Sequence, residues 1–384
     1  MKNEPLALYV HIPFCVRKCL YCDFLSFPAS EEVRKAYLKA LGEELEREAP
    51  AYADRRVSSI FFGGGTPSTL AAEEIEEIMA VIRRLYLISE DAEITLEANP
   101  GTLTPEKLRS FGQAGIRRLS MGAQSFDDDE LKTLGRIHRA ADIRESFRAA
   151  REAGFDNINL DLICGLPGQR VEDWEYTLRE ALSLAPEHIS AYSLIVEEGT
   201  PFHECYHEAD ERRGRGEEQE LLPGEEEERE MIKRCRELLG AAGYVQYEIS
   251  NYALPGRECR HNLVYWERGD YAGFGLGAAS CVDERRWKNT EELKEYFAGG
   301  ELRRELQLLD PGERQSEAMF LGLRLMRGVD CRQFAARYGV DPHVLYGEEI
   351  ERMLSEGLLE EEGAFLRLSL KGQDLANRVM AAFV

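Results

Sequence analysis

Long apolar runs are absent from this sequence. No segment of about 18 or more consecutive apolar residues occurs, so we expect no helix that spans a membrane. The first residues, MKNEPLALYV, also lack the basic start and the long apolar stretch of a secretory signal. Both absences favour a location in the cytoplasm.

Positive charge is scarce as well. The 384 residues include 48 Lys and Arg against 71 Asp and Glu, which gives a formal net charge of −23. A surface of this charge repels phosphate backbones, so we expect no nucleic acid among the partners. Part of the acidic excess lies in residues 207–230, which we interpret as a solvated connector with a helical end.

A cysteine framework for disulfides is also missing. The nine cysteines are an odd number, and six of them occur singly along the chain. This distribution indicates free thiols in a reducing compartment. The other three, Cys15, Cys19 and Cys22, lie together in the segment HIPFCVRKCLYCDF.

Short β-rich runs alternate with amphipathic helical runs in the first half of the chain. The strand candidates are residues 6–12, 57–64, 92–99, 117–124, 157–164 and 188–196. The helix candidates between them are residues 30–49, 69–86, 104–115, 141–154 and 171–185. Six strands at intervals of roughly thirty residues, with helices between them, predict a parallel α/β array.

Local signals support these helices. Ser30 is a typical N-cap residue, and Thr104 followed by Pro105 is a typical helix start. The buried face of the second helix is predicted at steps of three and four residues, namely Ile75, Ile78, Met79 and Ile82.

The character of the chain changes near residue 300. Helical segments at 313–326, 331–338 and 343–356 lead into a hairpin pattern that turns near Gly363, and a last helix follows from 371. Helices followed by a hairpin predict a small winged-helix-like α+β domain. Its acidic residues outnumber its basic ones, which favours packing or partner docking over DNA binding.

The three clustered cysteines could bind a metal, but three ligands are fewer than a structural zinc site needs. A thiolate is a soft ligand that suits zinc or iron–sulfur clusters. A structural zinc site closes four positions, and a neighbour such as His11 would have to complete it. A four-iron cluster held by three cysteines leaves one iron open to a substrate. Three unligated thiols are the third possibility.

In parallel barrels the chemistry collects where the strands end. The predicted strand ends carry Cys15–Cys22, Gly63–Thr66, Glu97, Gln124, Asp161 and residues 192–196. The carboxylates suit an ammonium group or ribose hydroxyls, and Arg136 suits a two-pronged contact with a carboxylate. Glycines free the backbone for close approach. This set suggests a site for a small zwitterion that carries a nucleoside.

The Cys-x3-Cys-x2-Cys loop after a first strand, with Tyr21 before the last cysteine, resembles the radical S-adenosylmethionine superfamily. Further segments resemble its oxygen-independent coproporphyrinogen III oxidase branch over nearly the whole chain, namely YVHIPFC, FFGGGTPS, EANP, GAQSF, GRIHRA and DLICGLPGQ. The resemblance implies an α/β fold, a partial (β/α)6 TIM-like barrel with the small C-terminal domain. We expect the barrel in residues 1–205, the acidic connector and a segment packing on the barrel in 206–300, and the C-terminal domain in 301–384.

The resemblance also implies cofactors. Cys15, Cys19 and Cys22 would hold a [4Fe–4S] cluster, whose electron would cleave S-adenosylmethionine to a 5′-deoxyadenosyl radical. The implied S-adenosylmethionine residues are Tyr9, Tyr21, Gly64, Gly65, Thr66, Glu97, Gln124, Arg136 and Asp161. The apolar neighbours Phe14, Leu20 and Phe24 are expected to limit access of water to the cluster.

Two features separate the branch into oxidases and haem chaperones. The resembling oxidases have a fourth cysteine where this chain has Phe24. The segment HNLVYW matches the His-Asn-x-x-Tyr-Trp signature of haem chaperones of the HemW type, through His261, Asn262, Tyr265 and Trp266. A His, a Tyr or the nearby Cys259 could ligate haem iron, and flat aromatic rings suit a porphyrin. The aromatic residues could instead only pack against the glycine-rich turn that follows.

We therefore predict a HemW-like haem chaperone that binds haem, a [4Fe–4S] cluster and S-adenosylmethionine. It would pass haem to respiratory proteins at the membrane surface and receive electrons from a flavodoxin or ferredoxin. The alternatives are an oxygen-independent coproporphyrinogen III oxidase of porphyrin biosynthesis, or another radical S-adenosylmethionine enzyme. A third hypothesis makes the C-terminal domain a docking arm for a haem acceptor. The sequence leaves open whether the protein is an enzyme.

Overall fold

The computed structural model describes residues 4–384, so residues 1–3 of the first predicted domain lie outside it. The strands in this range are β1 (Leu6–Ile12), β2 (Arg56–Gly64), β3 (Leu87–Ala98), β4 (Arg118–Gln124), β5 (Ile158–Cys164), β6 (His188–Ser193), β7 (Val245–Gln246), β8 (Asn251–Ala253), β9 (Asp270–Phe274), β10 (Ala279–Val282), β11 (Arg285–Asn289), β12 (Arg303–Leu308), β13 (Val329–Asp330), β14 (Leu359–Glu362) and β15 (Phe365–Leu368).

The helices alternate with the strands through the first half of the chain, as predicted. They are α1 (Glu31–Glu48), α2 (Ala72–Leu85), α3 (Pro105–Gln113), α4 (Asp128–Thr133), α5 (Ala140–Glu152), α6 (Val171–Ser183), α7 (Pro201–Gly214), α8 (Glu225–Ala241), α9 (Arg260–Trp266), α10 (Leu293–Ala298), α11 (Pro311–Gly322), α12 (Cys331–Tyr338), α13 (Pro342–Leu345), α14 (Gly347–Ser355), α15 (Leu370–Asp374) and α16 (Ala376–Ala381). The short helix α4 was not predicted.

Strands β1 to β6 form consecutive parallel pairs, which confirms the predicted α/β array. Each of the six contributes a residue to the lining of one common cavity, namely Tyr9, Phe61, Glu97, Ser120, Asp161 and Ser190. Side chains from all six strands can meet in this way only if the sheet curves. The strands therefore enclose a barrel interior.

The barrel stays open, and later strands extend its two edges. Strand β9 pairs in parallel with β1, while β8 pairs antiparallel with β6. The large sheet runs in the order β12-β11-β10-β9-β1-β2-β3-β4-β5-β6-β8-β7. Much of the segment 206–300, which was predicted to pack on the barrel, continues its sheet through β7 to β11.

The outer helices pack as their sequence pattern predicts. Ile75, Ile78, Met79 and Ile82 of α2 are all buried. The Ser30 side chain accepts a hydrogen bond from the Val33 amide at 3.4 Å. Thr104 likewise accepts from the Lys107 amide at 3.2 Å, and Pro105 is the first residue of α3. Fully burying one large aliphatic side chain contributes about 1.5–3 kcal/mol, so packing outweighs the caps in holding these helices.

The acidic stretch contains more helix than expected. Helix α7 extends to Gly214, and α8 begins at Glu225. Only residues 215–224 lack regular structure, so the predicted connector over 207–230 is helical at both ends.

The C-terminal unit has its own sheet and its own core. Strands β13, β15 and β14 form a three-stranded antiparallel sheet, as a winged-helix-like domain requires. Its buried core includes Met319, Ile350 and Leu366. Strand β12 still belongs to the large sheet, so the unit begins after Leu308 and not at residue 301.

Backbone hydrogen bonds join the C-terminal unit to the barrel side. The Ile249 amide donates to the Arg324 carbonyl at 3.1 Å, and the Met326 amide donates to the Tyr247 carbonyl at 3.0 Å. No helix within residues 4–384 combines the length and the apolar character needed to cross a membrane.

Candidate functional site

A cavity of about 880 Å³ lies where strands β1 to β6 end. It brings together residues that the sequence analysis predicted from the strand ends. Those lining it are Cys15, Cys19, Tyr21, Cys22, Gly64, Gly65, Thr66, Glu97, Gln124, Arg136 and Asp161. Tyr9 is the exception, because it lines a second cavity described below.

The three cysteines stand at the rim of this cavity as free, partly buried thiols. The Cys15 Sγ lies 3.5 Å from the Thr66 Oγ1, and an Arg136 nitrogen donates to the Cys19 Sγ at 3.3 Å. Burial raises the pKa of the Cys22 thiol.

The donor set fits an iron–sulfur cluster with three protein ligands. Within residues 4–384, no three His, Cys, Asp or Glu side chains converge as they would on a single metal ion. Thiolates on a four-iron cluster bind different irons and need not converge on one point. Three soft sulfur donors on one cavity rim match that requirement.

Asn99 connects the cysteine rim to the strand ends, and the sequence analysis missed it. Its side-chain nitrogen donates to the Thr66 Oγ1 at 2.9 Å, and its oxygen accepts from Arg136 at 2.6 Å. Asn99 follows Glu97 by two residues in the segment EANP, so its place at a strand end was a usable signal.

Arg136 has a different setting from the one expected. Besides Asn99 and Cys19, its guanidinium donates to the Gly122 carbonyl at 2.7 Å. These contacts hold Arg136 against the protein, so the two-pronged contact with a ligand carboxylate is not its arrangement here. It links the sulfur of Cys19 to strands β3 and β4.

The glycines after β2 are required by packing against the protein itself. Gly64 has φ +108°, and a Cβ there would lie 2.3 Å from the His11 ring. A Cβ on Gly65 would lie 2.8 Å from the Phe14 carbonyl oxygen. Contacts this short are not tolerated, so the glycines let the loop after β2 pack on β1 and the cysteine loop.

Two carboxyl groups lie at the bottom of the cavity. Burial and the neighbouring Asp161 raise the pKa of Glu97 to about 8, although its side chain accepts from the Gly64 amide at 3.1 Å. Burial also raises the pKa of Asp161, which accepts from Ser120 at 3.2 Å and from Asn159 at 2.8 Å. Enclosed carboxyls favour the neutral form until a cation arrives, so this floor suits a ligand with an amino group.

Gln124 ends β4 in a strained conformation. Its φ is +69°, in the left-handed region that residues other than glycine seldom adopt, and its side chain is buried. Such strain is concentrated at functional sites, where the surrounding structure enforces it. The geometry therefore agrees with a role for Gln124 in the cavity wall.

The apolar neighbours of the cysteines shield them unequally. Phe14 is buried, but Leu20 is 40% exposed and Phe24 is 63% exposed. The expectation that all three limit access of water was therefore wrong for Leu20 and Phe24. Their side chains face solvent beside the rim, because the cysteine loop is a surface loop.

The HNLVYW segment forms helix α9, which fills the barrel interior away from the strand ends. His261, Asn262 and Tyr265 line a second cavity of about 190 Å³ together with Tyr9. Glu97 and Asp161 line both cavities, so the two adjoin.

His261 is held from both sides. Its Nδ1 lies 2.9 Å from the Ser59 hydroxyl, its Nε2 lies 3.0 Å from the Tyr265 hydroxyl, and its ring stacks on Phe61. Burial and the charge of Arg118 lower the pKa of His261 to about 3. Neither ring nitrogen is free to bind a metal in this conformation.

Two further residues considered for haem binding, Cys259 and Trp266, also contact the protein itself. Cys259 is buried beside Glu93, with its Sγ 3.6 Å from a carboxylate oxygen, and burial raises its pKa to about 12. Trp266 lies beneath the guanidinium of Arg324, whose central carbon is 4.3 Å from the ring centre.

Two family models match the chain. The radical SAM superfamily matches residues 9–181, and the HemN C-terminal domain matches residues 309–375. The second match begins directly after β12, in agreement with the structural boundary.

Curated relatives match over almost the full chain. The heme chaperone HemW of Bacillus subtilis (strain 168) is 39% identical over 98% of this chain and 99% of its own length. The heme chaperone HemW of Escherichia coli (strain K12) is 34% identical over 100% of this chain and 99% of its own length.

Among solved structures, the coproporphyrinogen III oxidase HemN from Escherichia coli, described as a radical SAM enzyme, has the same fold. The TM-score is 0.84 at 25% identity, and the match covers 100% of this chain and 91% of that chain. The likeness spans both the barrel and the C-terminal unit.

Proposed function

Because the chain belongs to the radical SAM superfamily and, within it, to the family of heme chaperones HemW, we propose that it is a haem chaperone. It binds haem and passes it to a haem-accepting protein. The observation that carries this proposal is full-length similarity to HemW combined with a large cavity beside the cysteine rim.

Cys15, Cys19 and Cys22 hold the [4Fe–4S] cluster of this proposal. When bound, such a cluster supplies an electron for the reductive cleavage of S-adenosylmethionine. Arg136 donates a hydrogen bond to the sulfur of Cys19, and Thr66 contacts Cys15. The hydrogen bond between Asn99 and Thr66 fixes this part of the rim relative to the end of β3.

The residues of the cavity floor bind S-adenosylmethionine. Glu97 and Asp161 receive its amino group and ribose hydroxyls, since both carboxyls line the cavity and burial raises both pKa values. The residues beside them complete the site, namely Tyr21, Gly64, Gly65, Thr66, Gln124 and Arg136. Tyr9 acts from the second cavity, with its hydroxyl 3.0 Å from the His11 Nδ1.

Haem occupies the large cavity, whose volume lies within the range of about 300–1,000 Å³ that is usual for small-molecule sites. The HNLVYW segment contributes to haem binding from the barrel side, through His261, Asn262, Tyr265 and Trp266. Ligation of haem iron by His261 requires that its hydrogen bond to Tyr265 break. The haem acceptor is a respiratory protein at the membrane surface, and the reductant is a flavodoxin or ferredoxin.

One observation favours a second candidate, coproporphyrinogen III oxidation. The fold follows the oxidase HemN over its barrel and its C-terminal unit. Against this candidate stands Phe24, which occupies a position beside the cysteine rim where the resembling oxidases have a cysteine.

An anaerobic assay separates the two functions. The reconstituted protein is incubated with reductant, S-adenosylmethionine and coproporphyrinogen III, and the porphyrinogen products are measured. We expect no protoporphyrinogen, with haem binding observed in a parallel titration. Protoporphyrinogen formation over many turnovers would replace the chaperone by the oxidase.

A further inference from the structure

The large cavity extends beyond the residues assigned to the cluster and to S-adenosylmethionine. Its outer wall is formed by helix α8 and by the C-terminal unit. Three arginines line this wall, namely Arg236, Arg324 and Arg378. The protein as a whole is strongly acidic, so a group of arginines on one wall indicates a ligand with negative charge.

Arg236 projects from α8 and is poorly paired. Its nearest carboxylate is that of Asp374, at a nitrogen-to-oxygen distance of 3.4 Å. Its Nε is buried and has no hydrogen-bond partner among residues 4–384. A buried donor without a partner is unfavourable, so Arg236 can donate to a hydrogen-bond acceptor supplied by a ligand in the cavity.

Arg324, on the C-terminal unit, is also weakly paired and also has a buried Nε. Its guanidinium is 3.5 Å from the buried Glu248, and its Nε also lacks a partner within the described chain. Two features fix its position. The Ile249 amide donates to its carbonyl, and the guanidinium rests on the face of Trp266.

Arg378 provides the contrast. It forms an ion pair with Glu356 at 2.9 Å, and its side chain is 61% exposed. Its charge is therefore satisfied outside the cavity, and it serves as a matched control for the other two arginines.

We propose that Arg236 and Arg324 bind the two carboxylates of a flat tetrapyrrole, the propionates of haem. This inference rests on the proposed haem binding and specifies how the cavity recognises the ligand. A guanidinium fork matches a carboxylate bidentately, and both side chains are largely buried, with exposed fractions of 23% for Arg236 and 26% for Arg324. The ring then lies in the cavity between the two arginines and the cysteine rim.

Trp266 has a positioning role in this arrangement. Its ring supports the guanidinium of Arg324, so the last residue of the HNLVYW segment acts on the propionate through an arginine rather than on the ring directly. This gives the segment a function in ligand binding that does not require His261 to leave its hydrogen bonds.

The test compares haem with haem dimethyl ester, in which both propionates are neutral. Each ligand is titrated by absorbance into the full-length wild-type protein, the double variant Arg236→Gln/Arg324→Gln and the control Arg378→Gln. Wild type should prefer haem over the ester by about 10- to 100-fold, the range expected for two charge-assisted hydrogen-bonded contacts. The double variant should lose this preference, and Arg378→Gln should keep it within about twofold.

A second variant examines Trp266. In Trp266→Leu the support of Arg324 is lost, so the preference for haem over the ester should fall at least threefold, with the affinity for the ester unchanged. Trp266→Phe keeps an aromatic face and should restore most of the preference. Equal behaviour of both variants and wild type would remove Trp266 from the arrangement.

The outcomes distinguish this inference from the proposed function. If wild type binds haem and the ester equally well, the arginine contacts are wrong while haem binding stands. The same holds if the double variant keeps the preference. If wild type binds neither ligand, the proposed function fails, and the inference fails with it. If the double variant does not fold, equal affinity of the wild-type protein for haem and for the ester would still contradict the arginine contacts.

Discussion

At the scale of single residues, the hydrogen bonds of His261 determine what its proposed ligation of haem iron would require. Its Nε2 is engaged by the Tyr265 hydroxyl at 3.0 Å, and a hydrogen bond of this kind contributes about 0.5–1.5 kcal/mol. If His261 ligates haem at the expense of this bond, Tyr265→Phe should free the nitrogen and tighten haem binding by about 2- to 10-fold.

The measurement is a haem titration of wild type, Tyr265→Phe and His261→Ala, followed by absorbance. His261→Ala should lose the iron–imidazole spectrum, and Tyr265→Phe should strengthen it. Spectra and affinities that are the same in all three proteins would show that His261 only packs the barrel interior.

Glu97 should make the stability of the cofactor-free protein depend on pH. Its pKa is about 8 in the folded protein against about 4.5 in the unfolded chain, so the folded state binds more protons between these values. The free energy of unfolding should therefore fall as the pH rises from 4.5 to 8, by about 5 kcal/mol in total, since one pKa unit corresponds to about 1.4 kcal/mol.

The variant Glu97→Gln should flatten this dependence, because the amide still accepts from the Gly64 amide and does not ionise. Urea unfolding at pH 5.5 and pH 8.5 measures the effect. Glu76→Gln, on the exposed face of α2, is the control and should leave the pH dependence as in wild type. A Glu97→Gln protein with the full pH dependence would contradict the assignment.

At the scale of elements, Glu44 connects helix α1 to the strands that extend the sheet. The side chain is buried and accepts from the Gly275 amide at 2.9 Å, from Asn289 at 2.6 Å and from the Tyr296 hydroxyl at 2.7 Å. These three donors belong to the segment after β9, to β11 and to α10. One carboxyl therefore fastens the added strands and α10 to the first helix of the barrel.

Glu44→Ala should reduce the free energy of unfolding by about 2–4 kcal/mol, because three buried donors lose their acceptor. Glu43→Ala is the matched control, since the neighbouring Glu43 is exposed and forms only a 3.5 Å surface pair with Lys39. Its expected effect is within about 0.5 kcal/mol. Denaturant unfolding compares the two, and equal losses would show that Glu44 has no special role.

Local patterns were enough to predict the elements of the barrel. Strand β1 spans Leu6–Ile12 as predicted, and the caps at Ser30 and Thr104 lie where their residue types indicated. The added strands could not be predicted in the same way. Pairing of β9 with β1 joins residues about 260 positions apart, and no local pattern encodes such a partner. Strand β9 also ends within the glycine-rich turn that follows the HNLVYW segment.

At the scale of the whole molecule, only some of the residues that line the large cavity could be predicted from the sequence. The rule that chemistry collects at strand ends placed Cys15, Glu97 and Asp161 on one cavity. The rule does not extend to Arg236 and Arg324, which come from α8 and from the turn after α11 and meet only through tertiary packing. Tyr9 lies in the middle of β1 and not at its end, so it lines the second cavity, deeper in the barrel interior.

The cavity is formed by both the barrel and the C-terminal unit. The cysteine rim and the arginine wall belong to one cavity, although the first lies on the barrel and the second lies partly on the C-terminal unit. The C-terminal unit therefore contributes to the ligand site itself, which is more than the docking arm considered from sequence. Haem binding should accordingly depend on both parts of the chain.

The central claim is that this chain holds one haem in the cavity that its cysteine rim borders. The most direct test is an absorbance titration of the anaerobically reconstituted protein with haem, with iron content measured on the same sample. We expect the change in absorbance to saturate at one haem per chain. Uptake that never saturates, or no spectral change at all, would contradict it.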